Sequence, residues 1–185
     1  AVSAATEEDN EIPECRNGAI LPEYEVPGAY QNKCMSQPYR TITLPSSSSS
    51  SSAATTTISI EQNLPSQTIL TGQTGMSVWN SALLLTRVMS TLSFTSNDGN
   101  NPLKGKTVME LGCGAGLASI AAAKLGAARV VATDGNGDVL ELTRRNVRRN
   151  GASETVAVEE MKWGLLNAAD YYDEVDVVVG SDLTY

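Results

Sequence analysis

The sequence predicts an α/β fold built on a parallel sheet, and three observations predict it. From residue 107 onward short apolar runs alternate with segments of helical period, the pattern of strands joined by helical crossovers. The first run breaks into the turn Gly112-Cys113-Gly114-Ala115-Gly116 before a helix, and the second ends on an acid, Asp134. A strand that opens into glycines and then a helix builds a cofactor cradle, and an acid at the end of the next parallel strand faces the same crevice, where it can take ribose hydroxyls.

Residues 1–37 are polar and proline-punctuated, with Glu7, Glu8, Asp9 and Glu11 near the start, so they are read as a flexible acidic segment with little fixed structure. Residues 39–44 and 57–61 are rich in β-branched types, and the second stretch alternates apolar with polar. They are predicted to pair as a β-hairpin. Serines fill residues 46–52 between them, which reads as a solvated loop. In 78–92, Val78, Ala82, Leu85, Met89 and Leu92 fall on one helical stripe, predicting a helix laid on the sheet. Residues 93–106 read as a polar loop.

The sheet follows. Residues 107–111 form a buried strand. Residues 117–125 form a helix of small and apolar residues that Gly126 ends in the left-handed conformation. The glycines let a ligand approach the backbone with no Cβ in the way, beside the free N–H groups of a helix start. Residues 128–133 form the next strand. A helix over 138–150 has Asp138 as its expected N-cap and Gly151 beyond its end. Its Arg144, Arg145, Arg148 and Arg149 complement the negative end of the helix dipole on a solvated face, and a substrate-binding patch is the alternative. Residues 155–158 and 175–179 supply two more strands. Ligands bind at the carboxyl ends of such strands, so Gly112, Cys113, Gly114, Asp134, Trp163, Ser181 and Asp182 are expected along one rim.

The glycine spacing separates two cofactor classes. A dinucleotide fingerprint is G-x-G-x-x-G, whereas here the third glycine, Gly116, comes one residue early and Leu117 stands in its place. Glu110, two residues before the first glycine, can face the amino group of an amino-acid moiety. A cationic sulfonium cofactor suits this arrangement better than a pyrophosphate.

Composition excludes further classes. The formal net charge is −8, which argues against nucleic-acid binding through a basic surface and suits a partner that presents lysines. Histidine is absent, which removes Ser-His-Asp and Cys-His catalysis and every histidine-containing metal site from these residues. The three cysteines, Cys15, Cys34 and Cys113, are in no metal-like spacing, and Cys113 reads as a small space-filler. No apolar run approaches the ~20 residues that cross a bilayer, and no targeting segment is visible. The expectation is a cytoplasmic protein without a membrane partner.

Four ordered stretches carry a resemblance. They are Thr74-Gly75-Met76-Ser77-Val78-Trp79-Asn80-Ser81-Ala82, then Glu110 to Gly116 with Val131-Ala132-Thr133-Asp134-Gly135-Asn136, then Met161-Lys162-Trp163-Gly164, and finally the run from Val177 to Gly180 that leads into Ser181-Asp182-Leu183-Thr184-Tyr185. The chain resembles the S-adenosylmethionine-dependent protein lysine methyltransferases of the seven-β-strand, methyltransferase-16 type. The resemblance implies a Rossmann-like class I methyltransferase sheet with flanking helices, preceded by the hairpin of residues 38–61, within a domain that runs over 38–185.

It also implies that the domain is truncated after its fourth strand, because the family continues past this tyrosine with a helix and three strands. The sheet would then be open at one edge, which invites mispairing. By the same resemblance, the glycine turn with Glu110, Gly112, Cys113 and Gly114 holds the methionine part of the cofactor, Asp134 the ribose, and Trp163 the adenine side. Trp79 closes the pocket, Ser181 adds a contact, and Asp182 and Tyr185 face the reacting amine of a protein substrate. Three other readings stay open: a different side chain or a small molecule as acceptor, a non-catalytic methyltransferase-like module, and, most distantly, a nicotinamide-dependent enzyme. Oligomeric state is not legible.

Overall fold

The structure, a computed structural model, describes residues 15, 33–44, 56–63, 74–95, 101–164 and 174–183. Strands β1 (Tyr39–Leu44) and β2 (Thr56–Glu61) form the antiparallel hairpin, in register from Tyr39 opposite Glu61 to Leu44 opposite Thr56. Their period of two sends Ile42, Leu44, Ile58 and Ile60 inward to the core. The serine tract at 46–52 lies outside the described residues, as does most of 1–32. Two parts of the acidic segment do have fixed structure. Lys33–Ser36 forms a 3-10 turn, and Cys34 in it is disulfide-bonded to Cys15. The pairing is not legible in a spacing alone.

The second sheet has four parallel strands: β3 (Thr107–Leu111), β4 (Arg129–Asp134), β5 (Val156–Glu160) and β6 (Val177–Gly180), in the order β5-β4-β3-β6. The helices are α1 (Asn80–Thr95), α2 (Leu117–Lys124) and α3 (Gly137–Arg149). Successive units step from β3 to β4 to β5, and the chain then returns to place β6 on the other side of β3. That reversal puts a crevice at the carboxyl ends of β3 and β6, where open α/β sheets bind ligands. Val108, Val130 and Val156 share the main core with α2 and the inner face of the hairpin.

Some boundaries and faces differ from the sequence reading. Helix α1 runs on through Thr95, so 93–95 are helix; the Ser93 hydroxyl donates to the Met89 carbonyl at 2.8 Å, a back-bond that keeps a polar residue compatible with the helix. The buried side of α1 is Leu83, Thr86, Met89 and Ser90, and Leu92 is 51% exposed. The helix is rotated because α1 packs on the alanine-rich α2, where small Thr86 and Ser90 permit a closer approach than a leucine row. Val78 is buried ahead of the helix start. Helix α3 is capped by Asn136, whose side chain accepts from the Asp138 and Val139 amides. Asp138 is instead in the first turn, where its charge favours the positive dipole end.

The arginines of α3 also do more than meet solvent. Arg145 donates to Glu61 of β2 at 3.0 Å, Arg149 lies 4.7 Å over the Tyr39 ring, and Arg144 reaches the Val158 carbonyl at 3.2 Å. Beneath them two asparagines grip the outer edge of β2. Asn146 accepts from Glu61 N–H (2.8 Å) and donates to Glu61 C=O (3.0 Å), and Asn150 does the same at Ser59 (2.9 and 2.8 Å). Asn146 also donates to the Ala115 carbonyl in the glycine turn at 2.9 Å. Replacing it would leave three backbone groups without that partner, two of them on a strand edge. Asn146→Ala is expected to destabilise the fold by about 2–4 kcal/mol in urea denaturation; a loss below about 1 kcal/mol would show the contacts to be incidental.

Candidate functional site

A cavity of about 730 Å³ opens at the carboxyl ends of β3, β4 and β6. Nine of the residues singled out in the sequence line it: Trp79, Glu110, Gly112, Cys113, Gly114, Asp134, Trp163, Ser181 and Asp182. Tyr185 lies outside the described residues.

The glycine turn is shaped by close approaches. Gly114 has φ +52°, and a Cβ there would stand 3.1 Å from the Gly75 carbonyl oxygen. Gly116 has φ +87°, and a Cβ there would meet Thr143 Cγ2 at 2.8 Å. The turn is tied down from three sides. Cys113 N–H donates to Thr133 C=O at 2.7 Å, Gly116 N–H to Cys113 C=O at 2.9 Å, and Gly114 N–H to Asp134 Oδ2 at 3.2 Å. The Thr143 hydroxyl, 2.5 Å from the Gly114 carbonyl oxygen, donates to it. Three amides of the turn are therefore engaged internally, and the turn supplies clearance. Oxyanions such as pyrophosphate need N–H donors at this place, so the arrangement suits a cofactor without phosphate.

Acids dominate what remains. Asp134 holds its carboxylate in place with a second bond from Asn136 N–H at 3.1 Å and is only half-buried, so its remaining lone pairs face the cavity rim. Glu110 is 2% exposed. Ser119 on α2 donates to its carboxylate, and the Thr133 hydroxyl donates to its backbone carbonyl at 2.7 Å. Burial pushes the Glu110 carboxyl up to about 7; the Ser119 bonds pull it down, and the negative charge of Asp134 adds a smaller upward push. The Cys113 thiol is buried and held well above its ordinary range by that burial and by both acids, so it is a packed, neutral group.

Two tryptophans frame the mouth. Trp79, just ahead of α1, donates its indole N–H to the Thr74 carbonyl at 2.8 Å. Trp163 follows β5 and is 54% exposed, so a large aromatic face is open beside the cradle. Asp182 follows β6 with φ +56°, exposed at the rim. Sequence reasoning overlooked Thr143 and Leu183. Thr143 lies in the middle of a helix with no motif to mark it. Leu183 stands inside the last motif with no role assigned to it, yet it lines the cavity.

The family model for lysine methyltransferases matches residues 58–185. The chain belongs to the lysine methyltransferase family. Among curated relatives, the protein-lysine N-methyltransferase EFM3 of Chaetomium thermophilum is 37% identical over 123 residues, which are 62% of this chain and 34% of that protein. The ribosomal protein L11 methyltransferase of Tolumonas auensis is 50% identical over 52 residues, 28% of this chain and 18% of that protein. The chain thus spans about a third or less of the length of these relatives. Among solved structures, the Trypanosoma brucei PRMT1 enzyme-prozyme complex with AdoHcy matches with TM-score 0.42 and 25% identity over 54% of this chain and 28% of that one.

Glu110 makes the fold of this methyltransferase domain sensitive to pH. Its folded value of about 7 lies above the ordinary 4.5, so the native state binds more protons than the unfolded one between those values and is penalised as pH rises through 7. Glu110→Gln removes the titration. The stability of wild type relative to this variant is expected to rise as pH falls from about 7.5 to 5, by an amount of order 3 kcal/mol, in urea denaturation at each pH. A constant difference would show that Glu110 stays ionised.

Proposed function

We propose that this chain carries the cofactor-binding region of an enzyme that transfers the methyl group of S-adenosylmethionine to a lysine side chain of a protein. The observation that carries the reading is an acid-flanked glycine cradle in which three turn amides, those of Cys113, Gly114 and Gly116, are taken internally. It suits a cofactor with a cationic amino-acid end better than one with phosphates. Family membership and the name of the EFM3 relative support lysine as the acceptor. The short match to L11 methyltransferases, confined to about 52 residues, favours a protein acceptor but constrains its side chain less.

S-adenosylmethionine supplies an electrophilic methyl group on a sulfonium. The residues of this chain would bind and align it. Glu110, at the cavity floor, would face the amino group of the methionine moiety. Gly112, Cys113 and Gly114 leave the backbone open beside it, and Asp134 would accept from the ribose hydroxyls. Trp163 would lie against the adenine, Trp79 would close the far wall, and Ser181 would add a contact from the end of β6. A lysine ammonium, with pKa ~10.4, has no lone pair to attack with, and desolvation beside a cationic cofactor lowers that value. Asp182 would orient the amine by hydrogen bonding, and Tyr185 would bound its channel. Alignment of the acceptor nitrogen with the methyl group is catalysis by positioning. We place this activity in the cytoplasm, although the Cys15–Cys34 bridge of the structure counts against it, because a reducing cytosol keeps such pairs as thiols; alkylation of fresh lysates decides, with both thiols labelled supporting the placement and both protected rejecting it.

Calorimetric titration of the full-length protein tests the cofactor. S-adenosylmethionine should bind, NADH should not, and Asp134→Ala should weaken the binding at least ~10-fold, about 1.4 kcal/mol. A cofactor ammonium prefers ionised Glu110, so affinity should rise with pH up to about 7, approaching ~10-fold per unit at the acid end, and become flat in Glu110→Gln. A folded full-length protein that binds NADH, or neither ligand, rejects the reading.

A further inference from the structure

We propose that Leu183 is a positioning residue for methyl transfer, a wedge that sets the turn carrying Asp182 against the glycine turn; the proposal rests on the methyl-transfer reading above. Two glycines at the ends of adjacent strands mark the slot it fills. Leu111 of β3 and Gly180 of β6 are register partners, so Gly112, the residue after Leu111, is one step along β3 from the partner of Gly180. A Cβ built on Gly112 would stand 2.9 Å from Leu183 Cδ2, and one on Gly180 would stand 2.7 Å from Leu183 Cδ1. Carbon atoms in contact sit about 3.5–4.0 Å apart, so the leucine would have to shift to admit either side chain.

Gly180 is the more telling of the two. It is the last residue of a strand whose preceding positions, Val177, Val178 and Val179, are all valine. Its backbone is not left-handed, unlike that of Gly112 at φ +63°. Its conformation therefore does not require glycine, and the closest obstacle to any side chain is Leu183 itself, with the Leu111 carbonyl oxygen next at 3.4 Å. The strand ends in glycine because the leucine lands there.

The intervening residue is under constraint. Asp182 is the one non-glycine residue with positive φ among the described residues, a conformation that persists where its surroundings over-determine it. Ser181 and Asp182 bridge Gly180 to Leu183, and with Gly180 fixed in the sheet and Leu183 seated on both strand ends, the turn between them has little freedom. The wedge touches the cofactor turn at Gly112 on one side and carries the acceptor-side Asp182 on the other. It therefore controls the separation of the two halves of the site, on which a displacement reaction depends steeply.

Two measurements on the full-length protein separate the wedge from the reading beneath it. The first is transfer of tritium from labelled S-adenosylmethionine to the proteins of a cell extract, alongside the cofactor Kd. Leu183→Ala should cut the transfer rate at saturating cofactor at least ~10-fold with Kd changed less than ~3-fold, and Leu183→Met should return the rate to within ~3-fold of wild type. A weakened Kd with an unchanged saturating rate would overturn the proposal and make Leu183 an ordinary wall of the cofactor cavity. The second is a thermal cycle that needs no cofactor. Gly180→Ala should lower the unfolding midpoint by roughly 3–6 °C in the wild-type background and by less than ~1 °C in the Leu183→Ala background. Equal losses in both would overturn the wedge. A wild-type protein that neither binds cofactor nor transfers label overturns the methyl-transfer reading and the catalytic role with it, while the thermal cycle still decides whether Leu183 occupies the slot.

Discussion

A helix that behaves as a strand edge holds this molecule together. Residues four apart on an α-helix rise about 6.0 Å along its axis, and residues two apart on a strand about 6.8 Å. The two repeats are close enough that Asn146 of α3 and Asn150 at its C-cap meet Glu61 and Ser59 of β2, respectively, as successive rungs, each side-chain amide supplying the acceptor and donor that a neighbouring strand would have offered. This edge of a two-stranded sheet would otherwise present unpaired backbone groups. Because Asn146 also holds the Ala115 carbonyl, the hairpin, the helix and the glycine turn are parts of one hydrogen-bonded unit. The shape of the cavity depends on a β-hairpin whose described residues do not line it.

Electrostatics in the cavity follow from how the backbone is used. In phosphate-binding loops, amides at a helix start point at the ligand. Here a carbonyl of β4, a carbonyl within the turn and the Asp134 carboxylate take three amides of the turn that leads into the helix, and two acids, Glu110 and Asp134, are left as the principal charged groups near the turn. Ionising Glu110 is costly: burial is the main reason its carboxyl is pushed up to about 7, and the negative charge of Asp134 adds a smaller part. A cationic guest relieves the cost, so the same arrangement that destabilises the empty pocket favours what fills it.

Much of this was legible in the sequence, and the parts that were not share a cause. Strands β1 and β3 are found at their predicted bounds because each is a short β-branched or apolar run with clear breakers on both sides. The parallel order follows from the alternation of elements, and the rim follows from the parallel order. Sequence patterns fail where a residue answers to a partner far along the chain. Asn136 displaced Asp138 as the cap of α3 because both types suit the position and local geometry chose between them. Leu92 turned outward because the alanines of α2 set the rotation of α1. Arg145 met Glu61 across 84 residues, and Leu183 found two glycines on different strands. A periodicity argument looks along one element and cannot see such meetings.

The Cys15–Cys34 bridge links residues 19 apart in sequence, and its main action is on the chain before it folds. Closing a ring of that size removes disorder from the unfolded ensemble, a contribution of about 3 kcal/mol in the chain-entropy account. Cys34 C=O also accepts from the Gln62 side chain at the foot of the hairpin, so the ring is anchored where the hairpin begins. The thiol–disulfide poise of the surroundings thus becomes a thermodynamic variable of the whole unit: under reduction the balance between folded and unfolded chains shifts, although neither cysteine lines the cavity.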